Sequence, residues 1–201
     1  MTIRAVVFDI GGVLEFTPDL GVIPTWENRL NLQPGEMNTR LSTVWREGSI
    51  GTISLDDVHQ RIGAILGMDD AQVRAFMEDI WTEYVGTLNV ELTDYFRGLR
   101  PRYQTAILSN SFVGAREREQ ALYHFEDMTD FIIYSHEVGM SKPDPRIYAL
   151  TCERLGLPPA EVVFVDDVEA NIDAARAFGM KAVLFRDTEQ AIAEIEACLS
   201  V

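Results

Sequence analysis

The 201-residue chain is poor in cysteine and has no long apolar run. Its two cysteines, Cys152 and Cys198, form no CxxC motif and no Cys/His spacing typical of zinc, so neither a disulfide framework nor a zinc site is indicated. No apolar stretch approaches the roughly 18 to 20 residues that span a bilayer. The apolar N-terminal run is interrupted by Asp9 and has no convincing cleavage site. We therefore expect a cytoplasmic protein with no membrane partner.

Positive charge is also scarce, with 17 Lys and Arg against 32 Asp and Glu and a formal net charge of -15. Because phosphate backbones require a basic surface, no nucleic-acid partner is expected. Hydrophobic residues make up 47% of the chain and charged residues 24%, which is typical of a soluble globular protein. The length suits one sizeable domain, or a core domain that carries an insertion.

Five short runs rich in valine, isoleucine and phenylalanine predict strands that are covered on both faces. Asp144 and Pro145 are typical of a helix start, and a further helix is predicted from about Val168 to Phe178, ending at Gly179. Strands alternating with helices predict an α/β fold with a doubly wound, parallel, five-stranded Rossmann-like sheet. The predicted strands are residues 3–8, 105–108, 131–134, 162–165 and 181–185.

The stretch 17–98 interrupts this alternation, because it contains amphipathic helical patterns and no clear strand. Ser54 is a candidate cap for one helix, and Asp69 or Asp70 for another. We interpret this stretch as an α-helical cap domain inserted into a Rossmann-like core that comprises residues 1–16 and 99–201.

Three of the predicted strands end on polar residues. Ligands of open parallel sheets bind outside the carboxyl ends of the strands, so these residues are expected to share one cleft. Lys142, in the loop GMSKPDP, would add an amine to it. The strand-end residues are Asp9, Ser109, Asn110, Asp166 and Asp167.

Three acids in one cleft repel one another unless a cation lies among them. Oxygen ligands with open water positions suit Mg²⁺, which leaves room for a phosphate, and Lys142 would help to offset the phosphoryl charge. Asp9 is then expected to act as a nucleophile and to form an aspartyl-phosphate that water hydrolyses. Gly11 and Gly12 would let the backbone turn, exposing amide N–H groups to a phosphate and a carbonyl to the metal.

Each of these residues also has a purely structural interpretation. A strand-end Asp such as Asp9 caps turns, Ser109 and Asn110 are typical turn residues, and the Asp166–Asp167 pair is suited to capping the next helix. The functional prediction therefore depends on their occurring together at one edge of one sheet.

The segments FDIGGVL, LSNS, SKPDPRIY and FVDDVEANIDAA, in this order, resemble the four motifs of the haloacid dehalogenase superfamily over nearly the whole chain. The helical insertion resembles the mobile cap that members carry between the first two motifs. The resemblance implies a small phosphorylated substrate and a nucleophilic Asp9, with Lys142 steadying both. It implies metal ligation by Asp9, the Gly11 carbonyl and Asp167, with support from Asp166 and Asn171, and phosphate binding by Ile10, Gly11, Ser109, Asn110 and Lys142.

Gly11 departs from the pattern of the family's phosphatases, which usually carry a second Asp two residues after the nucleophile. That Asp serves as general acid for the leaving group and then as base for water. Losing such a group costs on the order of 10² to 10⁴ in rate, and less where the leaving group is already good. Glu15 or Thr17, a few residues further on, is a candidate substitute.

Three functions remain open on the sequence alone. A Mg²⁺-dependent phosphatase acting on a small metabolite such as a sugar phosphate is favoured. A metal-independent 2-haloacid dehalogenase has no use for paired acids at Asp166 and Asp167, and the chain lacks the bulky aromatic that such enzymes often carry at the position of Gly11. A catalytically weak phosphate-binding or regulatory protein is supported by Gly11 alone.

Substrate choice in this architecture depends on the cap. Trp45 and Arg46 are candidate substrate contacts, the first by stacking on a ring and the second by holding an anionic or hydroxylated group. In the alternative interpretation Trp45 packs inside the cap and Arg46 is solvated. The three histidines, His59, His124 and His136, offer no recognisable pairing with a nucleophile. No oligomeric state is predicted.

Overall fold

The computed structural model describes residues 2–200 and contains one five-stranded and one two-stranded sheet. The strands are β1 (Ala5–Phe8), β2 (Glu15–Phe16), β3 (Thr87–Leu88), β4 (Gln104–Ser109), β5 (Phe131–Tyr134), β6 (Val162–Asp166) and β7 (Lys181–Leu184). The larger sheet has the order β5-β4-β1-β6-β7, and all of its pairs are parallel. This confirms the predicted doubly wound α/β sheet.

Helices connect these strands, and a short 3-10 helix (Pro159–Glu161) precedes β6. Within the described residues, no helix is both long enough and apolar enough to cross a membrane. The helices are α1 (Val22–Arg29), α2 (Glu36–Ser49), α3 (Leu55–Leu66), α4 (Asp70–Val85), α5 (Val90–Gly98), α6 (Ala115–Tyr123), α7 (Phe125–Met128), α8 (Ser135–Val138), α9 (Pro145–Leu155), α10 (Glu169–Phe178) and α11 (Thr188–Leu199).

The central strand β1 brings three strand ends level with one another. Phe8 lies opposite Ile107 of β4 and opposite Val165 of β6. Successive β1 residues join two hydrophobic clusters on opposite faces of the sheet, so the whole strand is buried. The polar residues that follow the apolar runs therefore emerge side by side at the carboxyl edge of the sheet.

Helix boundaries follow the capping residues that the sequence provides. Ser54 and Asp69 each form a capping box, at the start of α3 and of α4 respectively. Asp144 caps α9, and α10 ends at Gly179 in the left-handed conformation.

The stretch 17–98 was predicted to contain no strand, and this prediction is wrong at one place. Thr87–Leu88 pairs antiparallel with Glu15–Phe16 in the two-stranded sheet. Two residues are too few to show an alternating apolar pattern, so the pairing depends on tertiary contacts.

Helices α1 to α4 supply most of a separate hydrophobic cluster, which includes Trp26, Leu41, Val58 and Phe76 and is joined by Ala115 of α6. Helix α5 differs from them, because its buried residues Leu92 and Phe96 join the cluster around β1 and α11. We propose that the inserted unit ends before Val90, rather than at residue 98 as the sequence suggested.

Candidate active site

The loop after β1 holds Asp9 against the start of the next turn. Asp9 is 7% exposed, and its Oδ1 accepts a hydrogen bond of 2.8 Å from the backbone N–H of Ile10. Gly12 has a φ of +74°, and a Cβ there would lie 2.2 Å from Oδ2 of Asp167. The loop after β1 and the loop after β6 therefore meet at a point where only glycine fits.

Lys142 connects two of the buried carboxylates. Its Nζ lies 2.7 Å from Asp9 Oδ1 and 2.6 Å from Asp166 Oδ2, and its side chain is fully enclosed. The amide of Asn110 holds the lysine backbone, because Nδ2 donates to the Lys142 carbonyl at 2.9 Å and Oδ1 accepts from the Lys142 N–H at 2.8 Å. Asn110 thus positions Lys142, a contribution that the sequence analysis did not anticipate.

Asp166 is enclosed by donors, whereas Asp167 is exposed. In addition to Lys142, Asp166 accepts hydrogen bonds from the Val168 N–H at 2.8 Å and from Asn171 Nδ2 at 3.0 and 3.1 Å. Partial loss of water around the Asp167 carboxyl, together with the charge of Asp166, nevertheless raises the pKa of Asp167. Asp166 and Asn171 thus form a supporting layer, and Asp167 is free to face a ligand.

The three aspartates fit a divalent cation. Carboxylate oxygens of Asp9, Asp166 and Asp167 lie within 4.8 Å of one another. One lysine faces three carboxyl groups, and burial raises the pKa of Asp9 to about 7 despite the lysine. Mg²⁺ takes oxygen ligands at about 2.0–2.1 Å. The grouped carboxylate oxygens, with little positive charge nearby, therefore suit a Mg²⁺ ion.

The predicted phosphate-binding residues differ in how free their polar groups are to bind a ligand. Ser109 ends β4 and is 2% exposed. The Ile10 N–H is engaged by the Asp9 carboxylate, and the Asn110 amide is engaged by the Lys142 backbone. The Ile10 N–H therefore orients Asp9, and the Asn110 amide orients Lys142.

The two candidate substitutes for an acid at position 11 lie in different environments. The Thr17 hydroxyl is 3.8 Å from the point that a Gly11 Cβ would occupy, and Thr17 is exposed. Glu15 is 1% exposed. Burial, with the charges of Glu119 and Asp9, raises the pKa of Glu15 to about 9. Of the two candidates, Thr17 therefore lies next to the space that a side chain at position 11 would occupy, whereas Glu15 is buried.

An open cavity of about 540 Å³ extends from Asn110 and Ser111 to the helices of the inserted unit. Trp45 and Arg46, the predicted substrate contacts, both line it. The Trp45 ring packs edge-on against Phe112, with centroids 5.8 Å apart, so it lines the cavity and also takes part in packing. The apolar lining consists of Ile23, Trp45, Met77, Ile80, Trp81 and Phe112.

The sequence analysis missed a further polar contact beside the cavity. Ser111 Oγ lies 2.6 Å from His136 Nδ1, and the Ser111 N–H donates to Ser135 Oγ at 2.8 Å. The Ser135 hydroxyl in turn donates to the Ser49 carbonyl at 2.8 Å. The partners are distant in sequence, so no spacing signals the contact. It joins helix α2 to the loop after β4.

The fold and this arrangement of residues define a class of protein. The chain belongs to the haloacid dehalogenase-like hydrolase family, whose model matches residues 3–179. It is an enzyme of the hydrolase class.

Several curated relatives share a quarter or more of their aligned residues with this chain. Pig (Sus scrofa) bifunctional epoxide hydrolase 2 is 28% identical over 98% of the chain and 39% of its own length. The chain thus spans about two fifths or less of the first curated relatives it matches. Sesquiterpene phosphatase astK of Aspergillus oryzae is 27% identical over 93% of the chain and 92% of its own length. D-ribitol-5-phosphate phosphatase of Bacteroides thetaiotaomicron is 25% identical over 89% and 90%.

Solved structures share the fold. One of them is a haloacid dehalogenase (HAD) family enzyme from Bacteroides thetaiotaomicron, solved in complex with magnesium and inorganic phosphate. It superposes on this chain with a TM-score of 0.77 at 24% identity, and the alignment covers 92% of this chain and 94% of that one.

Proposed function

We propose that the protein is a Mg²⁺-dependent phosphatase that hydrolyses a small phosphate monoester through an aspartyl-phosphate on Asp9. The observation that carries this proposal is the enclosed Lys142, 2.7 Å from Asp9 and 2.6 Å from Asp166, beside a third carboxylate. The two phosphatase relatives that match along nearly their whole length support it.

In the first half-reaction, an Asp9 oxygen attacks phosphorus and the bond from phosphorus to the ester oxygen breaks. The leaving alcohol takes one proton, and the phosphoryl group remains on Asp9. Lys142 holds Asp9 in place and offsets the negative charge of the phosphoryl oxygens. Ser109 and the backbone N–H groups of Ile10 and Gly11 are the proposed donors to those oxygens.

Mg²⁺, when bound, supplies positive charge beside the phosphoryl oxygens. The proposed ligands are Asp9, the Gly11 carbonyl and Asp167, and Asp166 and Asn171 support them. Asp166 is better suited to support than to direct ligation, since its oxygens already accept hydrogen bonds from Lys142, Val168 and Asn171.

In the second half-reaction, water attacks the phosphorus of the aspartyl-phosphate, releases inorganic phosphate and regenerates the Asp9 carboxylate. Gly11 offers no proton to the leaving group and takes none from water. We infer that solvent water exchanges these protons and that the Thr17 hydroxyl, next to Gly11, orients it. Turnover of poor leaving groups is then slower than in an enzyme with an acid at this position.

The test is phosphate release from a panel of phosphorylated metabolites and from acetyl phosphate, with Mg²⁺ and with chelator. Wild type is measured beside Asp9→Asn, which keeps the shape of the side chain and loses the nucleophilic carboxylate. We expect Mg²⁺-dependent release that the variant loses. Tight phosphate binding without turnover would instead favour the regulatory alternative. Halide release from 2-chloropropionate in chelator would favour the dehalogenase.

A further inference from the structure

The 540 Å³ cavity lined by Trp45, Trp81 and Phe112, here called the aromatic cleft, adjoins the proposed phosphoryl site through Asn110. Asn110 and Ser111 line its inner end and directly follow Ser109, the last residue of β4. The Asn110 amide holds the backbone of Lys142, whose Nζ contacts Asp9. A monoester with its phosphorus at Asp9 would therefore direct its alcohol portion into the aromatic cleft.

The lining favours an apolar guest over a strongly hydroxylated one, because the polar side chains of Ser49, Asn110 and Ser111 already have protein partners. Of the described residues that line the cleft, none is an aspartate or a glutamate, and the one cation is Arg46, whose side chain is 65% exposed. A sugar or polyol enclosed here would lose water from hydroxyl groups and recover few hydrogen bonds, which is unfavourable. An apolar group loses no hydrogen bonds on entering and gains from leaving water.

The aromatic wall is held in place by its own contacts. The Phe112 ring packs against Trp45 at 5.8 Å and against Trp81 at 6.3 Å, and Trp81 packs against Tyr84 at 5.2 Å. Behind Phe112, helix α2 approaches so closely that a Cβ on Gly48 would lie 2.2 Å from the ring. Because these aromatic side chains are packed on both sides, they are preorganised and can bind a ligand without rearranging.

We propose that the aromatic cleft holds the apolar alcohol portion of the substrate, so that the enzyme hydrolyses phosphate monoesters of hydrophobic alcohols rather than sugar phosphates. This inference rests on the phosphatase function proposed above and specifies its substrate class. A cavity of this size lies within the roughly 300–1,000 Å³ typical of sites for drug-sized ligands. It suits a medium-length chain or a cyclic hydrocarbon.

The test is a chain-length series of n-butyl, n-hexyl, n-octyl and n-decyl phosphate, with glycerol 3-phosphate and glucose 6-phosphate as polar comparators. Acetyl phosphate measures phosphoryl transfer to Asp9 without filling the cleft, because its leaving group is small and activated. Burial of each added methylene is expected to raise kcat/KM about three- to fourfold until the cleft is full. The octyl ester should exceed both polar esters by at least tenfold.

A pair of variants tests where the selectivity arises. Ile80→Asn places an amide in the cleft at a half-buried position of α4, and Ile65→Asn makes the same change at a 39% exposed position of α3 outside the cleft. We expect Ile80→Asn to lower the ratio of octyl to acetyl phosphate kcat/KM at least tenfold, and Ile65→Asn to leave it unchanged.

The outcomes separate the two proposals. Asp9-dependent turnover of acetyl phosphate with a flat alkyl series, or with a preference for the polar esters, overturns the substrate class and leaves the phosphatase function standing. No Mg²⁺-dependent phosphate release from any of the esters or from acetyl phosphate overturns both. The wild-type series requires no variant, so a variant that fails to fold does not affect this decision.

Discussion

Lys142 Nζ lies 2.7 Å from Asp9 Oδ1, and neither side chain has appreciable contact with solvent. The lysine also contacts Asp166 at 2.6 Å, so one ammonium neutralises part of the charge of two buried carboxylates. Removing one partner of such a buried ion pair leaves the others uncompensated, which typically costs about 3–5 kcal/mol. The Lys142–Asp9 contact is therefore expected to stabilise the fold, in addition to the catalytic role proposed for both residues.

Lys142→Met is expected to lower the free energy of unfolding by about 3–5 kcal/mol in chelator and to abolish phosphate release. Urea denaturation measures the first effect and a phosphate assay the second. The matched control is Lys181→Met, because within residues 2–200 the Lys181 Nζ contacts a carbonyl oxygen, that of Cys198, at 3.5 Å, and no carboxylate. Similar small losses in both variants would show that Lys142 does not hold the carboxylates together.

Gly12→Ala tests the close approach of the loops after β1 and β6. An alanine Cβ would lie 2.2 Å from Asp167 Oδ2 and would displace that carboxylate, so we expect kcat/KM to fall at least a hundredfold. Gly21→Ala is the control, because Gly21 has a similar φ of +68° but no atom within 4 Å of a Cβ. Gly21→Ala should lower the free energy of unfolding by only about 1–2 kcal/mol, through left-handed backbone strain, and should retain activity. Equal activities would refute the argument.

Glu15→Gln is expected to change how stability depends on pH. Burial and the charges of Glu119 and Asp9 raise the pKa of Glu15 from 4.5 to about 9. Between these values the folded state keeps a proton that the unfolded state releases, so the free energy of unfolding falls as pH rises. The slope from one such group is at most about 1.4 kcal/mol per pH unit.

The glutamine carries no ionisable proton, so the stability of Glu15→Gln relative to wild type should rise from pH 5 to pH 9. Urea denaturation at several pH values measures this difference, with exposed Glu91→Gln as the control. A difference that stays constant over this range would mean that Glu15 is ionised in the folded protein.

Gly11→Asp is expected to add the proton donor that the site lacks. Among the described residues, a Cβ at Gly11 meets the Thr17 hydroxyl at 3.8 Å, an ordinary contact, so the position has room for the first atom of a side chain. General acid–base groups typically contribute 10² to 10⁴ in rate. We expect at least a tenfold rise in kcat on an alkyl phosphate and a smaller rise on acetyl phosphate. Gly11→Asn, which fits equally well but donates no acidic proton, should show no rise. A rise in both variants would contradict this explanation.

The parallel sheet was predictable because its strands are continuous apolar runs and its helices carry capping residues. The five strands lie within two residues of their predicted bounds, and Ser54, Asp69 and Asp144 cap the helices that follow them. The spacing of apolar residues and the presence of capping residues are local properties, so a single sequence is enough to reveal them. Strand ends that emerge at one edge of a parallel sheet then bring Asp9, Asp166 and Asp167 together.

The contacts that the sequence did not predict depend on tertiary structure. The Asn110 amide that holds Lys142 and the Ser111–His136 contact join residues 32 and 25 positions apart in the chain. The sequence leaves open whether Trp45 faces a ligand or packs inside the inserted unit. In the structure Trp45 lines the cavity and also packs against Phe112 from the core. No periodicity or motif encodes such pairings.

The most direct test of the nucleophile is to trap the covalent intermediate. Wild type is mixed with acetyl phosphate and Mg²⁺, quenched in acid within milliseconds and digested, and the peptide that contains Asp9 is examined by mass spectrometry. We expect one added phosphoryl group on Asp9 in wild type and none in Asp9→Asn, with turnover lost in the variant. Turnover by Asp9→Asn near the wild-type rate, with no phosphoryl group on this peptide in wild type, would contradict the proposed mechanism.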